Sequence, residues 1–219
     1  MKRSLTTLFS LCLALLAAAP AMGALTTQHL ATDQELLDLL SDTLYVAEGR
    51  IGNNAMNGDF EIDLGGSTSA PEVQRQYVWP NGTPVAWSLV YDHLTNLVTF
   101  TVGAEVLSWT SPLSGYTDVF VRTRAVDAGS SITIDAIVLD AEAVGDASAA
   151  SGDASGLDIL WIGGGTLHDG FTLTGQATMD WTGATPLHSR LAFQIKVGKL
   201  VPLPVEETTW GQVKALYEE

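Results

Sequence analysis

The chain has 219 residues, 25 of them acidic against ten basic, for a formal net charge of −15. A surface this acidic is repelled by phosphate backbones and anionic lipid, so nucleic acid is excluded as a partner class. A single cysteine excludes an intrachain disulfide, and a 46% share of hydrophobic residues suffices for one sizeable core.

The chain opens with Lys2 and Arg3. An apolar run follows from about Leu5 to Ala19, then small residues around Ala21-Met22-Gly23. This is the pattern of a secretory signal peptide over 1–23, shorter than the ~20 apolar residues a spanning helix needs. A retained anchor is the weaker reading. Small side chains at Ala21 and Gly23 favour cleavage after Gly23; Ala19 and Ala21 support a cut after Ala21 as the alternative. Cys12 lies inside the apolar run, so the mature chain is cysteine-free, without thiolate catalysis or cysteine-based zinc. Losing Lys2 and Arg3 leaves eight basic against 25 acidic residues, a formal −17. The expected route is general secretion, to an extracellular, cell-surface or periplasmic destination. No transmembrane span is expected in the mature chain.

Residues 24–50 are expected to form a helical lead-in to the main domain. Thr32 and Glu35 have capping-box spacing, and Leu36, Leu37, Leu39 and Leu40 supply an apolar face, giving a short helix that plugs one end of the domain. Residues 51–200 are expected to be the β domain. Phe60, Ile62 and Leu64 alternate with Asp59, Glu61 and Asp63, the pattern of a half-buried strand. The same alternation recurs at Val85–Tyr91, Val98–Val102, Val119–Val121, Ile132–Ile134, Ile159–Trp161, Phe171–Leu173 and Leu191–Val197, with a hairpin connection at Asp92–Asn96. Asn81-Gly82, Ser114-Gly115, Ala128-Gly129 and Gly163-Gly164-Gly165 separate the runs. Many short alternating strands predict a mainly β chain: an antiparallel β-sandwich, jelly-roll-like, with a short helix at each end. Short, irregular strands argue against an outer-membrane barrel.

Within this domain Gly145–Gly156 repeats Gly-Asp-Ala-Ser and reads as a solvated loop. Asp146, Asp153 and Asp158 lie in or beside it and offer hard oxygen ligands for calcium, although their spacing is not that of an EF-hand. The alternative is a simple acidic loop. Trp79, Trp109 and Trp161 sit beside turns or strand ends, where an indole plate stacks on a sugar ring; burial in the core is the competing reading, and Trp87 and Trp181 take it. Residues 201–219 combine an extended Val201-Pro202-Leu203-Pro204 linker with a second capping-box pattern at Thr209–Gln212 and a short amphipathic helix. Trp210, Gly211, Lys214, Leu216 and Tyr217 are the candidates there for docking or sorting on an envelope partner. Packing of this helix on its own domain is the alternative.

Several motifs from Trp79 to Gly198 carry a family resemblance. They are Trp79-Pro-Asn-Gly82, Trp87-Ser-Leu-Val-Tyr-Asp92, Val98-Thr-Phe-Thr-Val102, Val121-Arg122, Gly170-Phe-Thr-Leu-Thr-Gly175, Trp181-Thr-Gly183, Pro186 and Ser189-Arg-Leu-Ala-Phe-Gln-Ile-Lys-Val-Gly198. This segment, somewhat over half of the chain, resembles the choice-of-anchor W domain of exported bacterial proteins. The resemblance implies a secreted or surface β protein with no assigned catalytic residues and a variable C-terminal sorting segment. Val201-Pro202-Leu203-Pro204 resembles only the first element of the commonest anchor; no apolar span or arginine cluster follows. The ending is similar to short Trp-Gly tails of other exported bacterial proteins.

Catalysis finds little support in the sequence. Gly152–Gly156 mimics a nucleophile elbow only in a flexible loop. His168-Asp169 and His188-Ser189 are sequence neighbours, and neighbours on a strand face opposite ways. His168 and His188 as a cross-strand metal pair is a minor alternative. The triple glycine is not a dinucleotide fingerprint, because His168 stands where the third spaced glycine belongs. The expectation is a noncatalytic exported or cell-surface protein of envelope or extracellular matrix, with no cofactor. The alternative is a secreted carbohydrate- or calcium-binding module.

Overall fold

Period-two alternation becomes strand throughout the described chain. The computed structural model describes residues 24–66 and 71–201. In chain order these form β1 (Thr26–Leu30), α1 (Asp33–Leu39), β2 (Leu40–Arg50), β3 (Ile62–Gly65), β4 (Val73–Arg75), β5 (Val85–Asp92), β6 (Leu97–Val102), β7 (Glu105–Thr110), β8 (Asp118–Ala125) and β9 (Ser130–Leu139). Then come β10 (Glu142–Ala143), β11 (Ser148–Ser151), β12 (Leu157–Gly163), a single 3-10 turn, β13 (Phe171–Trp181) and β14 (Leu191–Leu200). The first sheet runs β1-β12-β8-β14-β2-β3-β4; the second runs β10-β9-β13-β5-β6-β7, with β11 pairing β9. The pairings are antiparallel and neither sheet closes into a barrel. No helix among the described residues is long and apolar enough to cross a membrane.

The core lies between the sheets. Along β13, every second side chain from Phe171 to Trp181 is buried, and β5 alternates the same way from Val85 to Tyr91. Phe193 of β14 meets Trp87 and Phe100 of the second sheet at ring-centroid distances of 6.3 and 6.5 Å. Trp87 and Trp181 are buried, as expected. The Asp92–Asn96 hairpin is held by its own first residue: Asp92 accepts from the Leu94 N–H at 3.0 Å and from Thr95 Oγ1 at 2.7 Å. Asn96 closes it at φ 55°, a left-handed position that asparagine tolerates.

Two expectations are corrected. Residues 24–50 are not a lead-in outside the β domain: β1 is an edge strand of the first sheet, and β2 lies inside it between β14 and β3. Residues Tyr45 to Gly49 are all buried, on both faces of the strand, so β2 lacks the apolar–polar alternation that marks a half-exposed strand. The helix forms as its capping box requires. Thr32 Oγ1 accepts from the Glu35 N–H at 3.2 Å, and Glu35 Oε2 accepts from the Ala31 N–H at 2.8 Å. It does not plug an end of the sandwich. It lies on the outer face of the first sheet, where Leu36 and Leu40 form a second small core with Leu30, Phe120 and Ile159.

Strand β3 is the second correction. Ile62 and Leu64 are buried as expected, but so are Glu61 and Asp63, each at most 1% exposed, whereas Phe60 is 40% exposed.

Candidate functional site

The structure separates the three aspartates read as a calcium set. Asp146, in the β10–β11 connection, and Asp158, on β12, meet through His29 of β1. His29 Nδ1 is 2.8 Å from Asp158 Oδ1, and Nε2 is 3.3 Å from Asp146 Oδ1. Thr27 Oγ1 donates to Asp146 Oδ2 at 3.0 Å, and Asp158 Oδ2 accepts from Ser148 Oγ at 2.8 Å and from the Ala149 N–H at 3.1 Å. Asp153 lies elsewhere and accepts the Gly129 N–H at 2.8 Å. No group of three or more His, Cys, Asp or Glu among the described residues is arranged to hold a metal. The trio is a clasp between the edge of the first sheet and a loop of the second. The Asp158 hydrogen bond leads in pushing the His29 pKa up, and the Ala147 N–H leads in drawing that of Asp146 down.

Nor do the three tryptophans form a sugar platform. Trp79 is 1% exposed and sits edge-on to Phe193 and Tyr77 in the main core. Trp161 is half-buried on the outer face of the first sheet, stacked on Phe120 with its Nε1 donating to Asp118 Oδ1 at 2.7 Å. Trp109, on edge strand β7, packs half-buried against the core. Turn-adjacent tryptophans look exposed in sequence; here Trp79 is enclosed in the main core, and Trp109 and Trp161 each lie partly buried against an apolar cluster. His168 and His188 face different exposed carboxylates, Asp169 and Asp59. The tail candidates Trp210, Gly211, Lys214, Leu216 and Tyr217 lie outside the described residues, as does the proposed signal peptide.

The most concentrated chemistry lies on the outer face of the first sheet. Cross-strand register places Arg122 of β8 opposite Gln194 of β14, Gln194 opposite Glu48 of β2, Glu48 opposite Asp63 of β3, and Asp63 opposite Gln74 of β4. Gln194 Nε2 donates to Glu48 Oε1 at 3.0 Å, and Arg50 Nη1 reaches Glu48 Oε2 at 3.4 Å. Arg50 Nη2 sits 3.1 Å from Asp63 Oδ2, an ion pair without hydrogen-bond alignment. Burial, followed by repulsion from Glu48, raises Asp63 to a pKa of about 7.

This row opens at one end into a groove of about 270 Å³ beside α1. Arg122, Arg124, Lys196 and Gln194 form its floor, and Leu36 and Leu37 form the helix wall. Asp33, at the start of α1, holds Arg122 in a bidentate pair, Nε to Oδ1 at 2.6 Å and Nη2 to Oδ2 at 2.8 Å. That guanidinium draws the Asp33 pKa down. Burial, and then Arg122, pull the Lys196 pKa down in turn. These cations were not singled out in the sequence. The signal was present as alternation, Arg122 with Arg124 and Gln194 with Lys196, but only the β8–β14 register brings the pairs together.

Glu61 forms the third polar site. Its carboxylate accepts the backbone N–H groups of Gly52, Asn53 and Asn54 at 2.6, 3.0 and 2.6 Å. Burial pushes its pKa up against the pull of these three donors. Asn54 in turn accepts the Trp79 N–H at 2.7 Å, so the loop after β2 is fixed to the core.

No family model matches the chain, and no curated protein matches it.

Proposed function

We propose that this chain is a noncatalytic exported or cell-surface protein, an envelope or extracellular-matrix component. Its β-sandwich is the body, and the segment 201–219 sorts or docks it. The observation that carries this reading is the use made of buried polar groups. Glu61 holds loop backbone, Ser148 joins Thr123 to Asp158, and Asp118 holds the Trp161 indole. Each is a staple between segments. The Glu48 and Asp63 carboxylates, opposite each other across β2 and β3, are 3% and 1% exposed, out of reach of a substrate. The leader pattern and the choice-of-anchor resemblance support the same reading from the sequence side.

Intact mass of the native protein from cell-envelope and culture-medium fractions tests it. A C-terminus trimmed near Pro204, or one carrying added mass, is the expected result. Deleting 201–219 is expected to change location and leave thermal unfolding of the sandwich intact. Unchanged location after deletion removes the sorting role. A cytoplasmic protein retaining residues 1–23 overturns export.

The second reading, a ligand-binding module, keeps its glycan form and loses its calcium form. The Asp146–Asp153–Asp158 set is not assembled, whereas the basic groove beside α1 has the character of a binding surface.

A further inference from the structure

An acidic protein has little cation to place, and here it is concentrated. The whole chain has ten basic residues against 25 acidic ones. Four of the ten, Arg50, Arg122, Arg124 and Lys196, share the outer face of the first sheet. Arg50 is neutralised by Glu48 and Asp63, and Arg122 by Asp33. Arg124 and Lys196 form no salt bridge among the described residues, although both line the groove with Arg122. Among the described residues Asp33 is the only carboxylate lining it, which leaves two positive charges in excess there.

Lys196 makes the excess costly. A half-buried ammonium loses hydration, and its neighbour Arg122 repels it. Nothing in the fold compels a lysine there: its cross-strand neighbours, Phe120 and Val46, are buried and apolar, and an apolar residue would extend the small core under α1. Attraction from Asp33 and from Glu48 opposes these two effects, but each is smaller than either, which leaves the groove open to a further counter-charge.

We infer that the groove formed by Arg122, Arg124, Gln194, Lys196 and the Leu36–Leu37 wall binds a carboxylate ligand. The chemistry of the floor fits such a group. The planar guanidinium of Arg124 offers a two-pronged donor, the Lys196 ammonium a point charge and Gln194 an amide. Arg122 already holds one carboxylate, that of Asp33, in bidentate geometry in the same groove. An organic acid also gains contact with the Leu36–Leu37 wall, which inorganic phosphate, having no apolar side, does not make. The leucine wall accommodates the apolar side of a small acid or of a sugar ring. Two sources present this chemistry: a free organic acid, and the uronic acid of an acidic glycan. The inference does not depend on export or on the tail.

The test is isothermal titration of the full mature chain at low ionic strength with citrate, with oligogalacturonate and with inorganic phosphate. Saturable binding of citrate, of oligogalacturonate or of both is expected, with phosphate weaker. Citrate alone identifies a free acid, and oligogalacturonate alone an acidic glycan. Arg124→Gln is expected to weaken binding roughly tenfold or more, the effect of losing one charge-assisted hydrogen bond. Arg124 is exposed, so this variant is expected to keep the parent melting temperature. Lys196→Gln is the second variant, with a similar loss. Absence of binding by both acids at millimolar concentration, equal or tighter binding of phosphate, or affinity unchanged in both variants overturns the inference.

Discussion

His29 Nδ1 lies 2.8 Å from Asp158 Oδ1, and the same ring reaches Asp146 across the sandwich edge. The contact joins the edge of the first sheet to the β10–β11 connection of the second, and its strength depends on the imidazole proton. The folded pKa of His29 is raised above the ordinary value of about 6.5. Its contribution is therefore complete below about pH 6.5 and is lost as pH rises through the folded value. Asp146 is depressed below the ordinary carboxylate value of about 3.9, so its share is lost as pH falls through that lower value. The clasp is strongest between about pH 4 and 6.5. His29→Gln is expected to cost about 0.2–1 kcal/mol at pH 6, since the ring is partly exposed. The cost should shrink by pH 8. Urea unfolding at both pH values checks this, and a difference independent of pH contradicts it.

Asp63 adds a separate pH dependence of the same sign. Its folded pKa, about 7, lies above the unfolded value, so the folded state binds the extra proton. Stability therefore falls as pH rises from about 4 to about 7. Asp63→Asn is expected to flatten the slope in that window while leaving the His29 component above it. A slope unchanged in the variant would place the proton on a group other than Asp63.

What was legible in the sequence follows from where each residue's burial is decided. β5, β6, β13 and β14 have one face in the main core, and their alternation gave the sandwich and the Asp92–Asn96 hairpin correctly. The capping box gave α1 because Thr32 and Glu35 act within one turn. β2 was missed because both its faces are covered. Glu61 and Asp63 were read as solvent-facing because charge normally marks the wet side of a strand; backbone donors at 52–54 and the partner Arg50 make their burial tolerable. The basic groove was invisible for a related reason: Arg122 and Lys196 are far apart in sequence and become neighbours only through β8–β14 pairing.

Calcium should have no effect on the sandwich. Asp146 and Asp158 are tied to His29 and to backbone or hydroxyl donors, and Asp153 caps a turn at Gly129. A ligand bound only by the folded state raises the melting temperature. Adding calcium, or removing it with a chelator, is therefore expected to leave the thermal midpoint unchanged. A calcium-dependent rise abolished by Asp153→Asn would restore the three-aspartate site.

Glu61 gives a sharper stability prediction. Removing its carboxylate leaves the N–H groups of Gly52, Asn53 and Asn54 without their acceptor. Buried donors left unsatisfied cost about 1–3 kcal/mol each, less where water enters. Glu61→Ala is thus expected to lose roughly 3 kcal/mol or more. Glu61→Gln keeps an acceptor oxygen and should lose clearly less. Equal losses in the two variants would mean that the side chain stabilises by packing alone.

Gly49 tests how tightly the centre of the core is filled. It lies on β2, paired with Phe193 on one side and Ile62 on the other. A Cβ at this position would stand 2.8 Å from Trp79 Cζ2 and closer still to the Phe193 ring. Both rings are at most 1% exposed, so neither has free space to move into. Overpacking of this kind costs about 1–3 kcal/mol, or about 2–4 °C of melting temperature per kcal/mol in a domain of this size. Gly49→Ala is expected to show that loss. Trp79→Phe removes the more distant of the two clashing rings at a cost of its own, and residues in contact through a shared space do not add. The double variant should therefore lose less than the sum of the two single losses. Strict additivity would mean that Gly49 is required for its backbone alone and that Trp79 does not close over it.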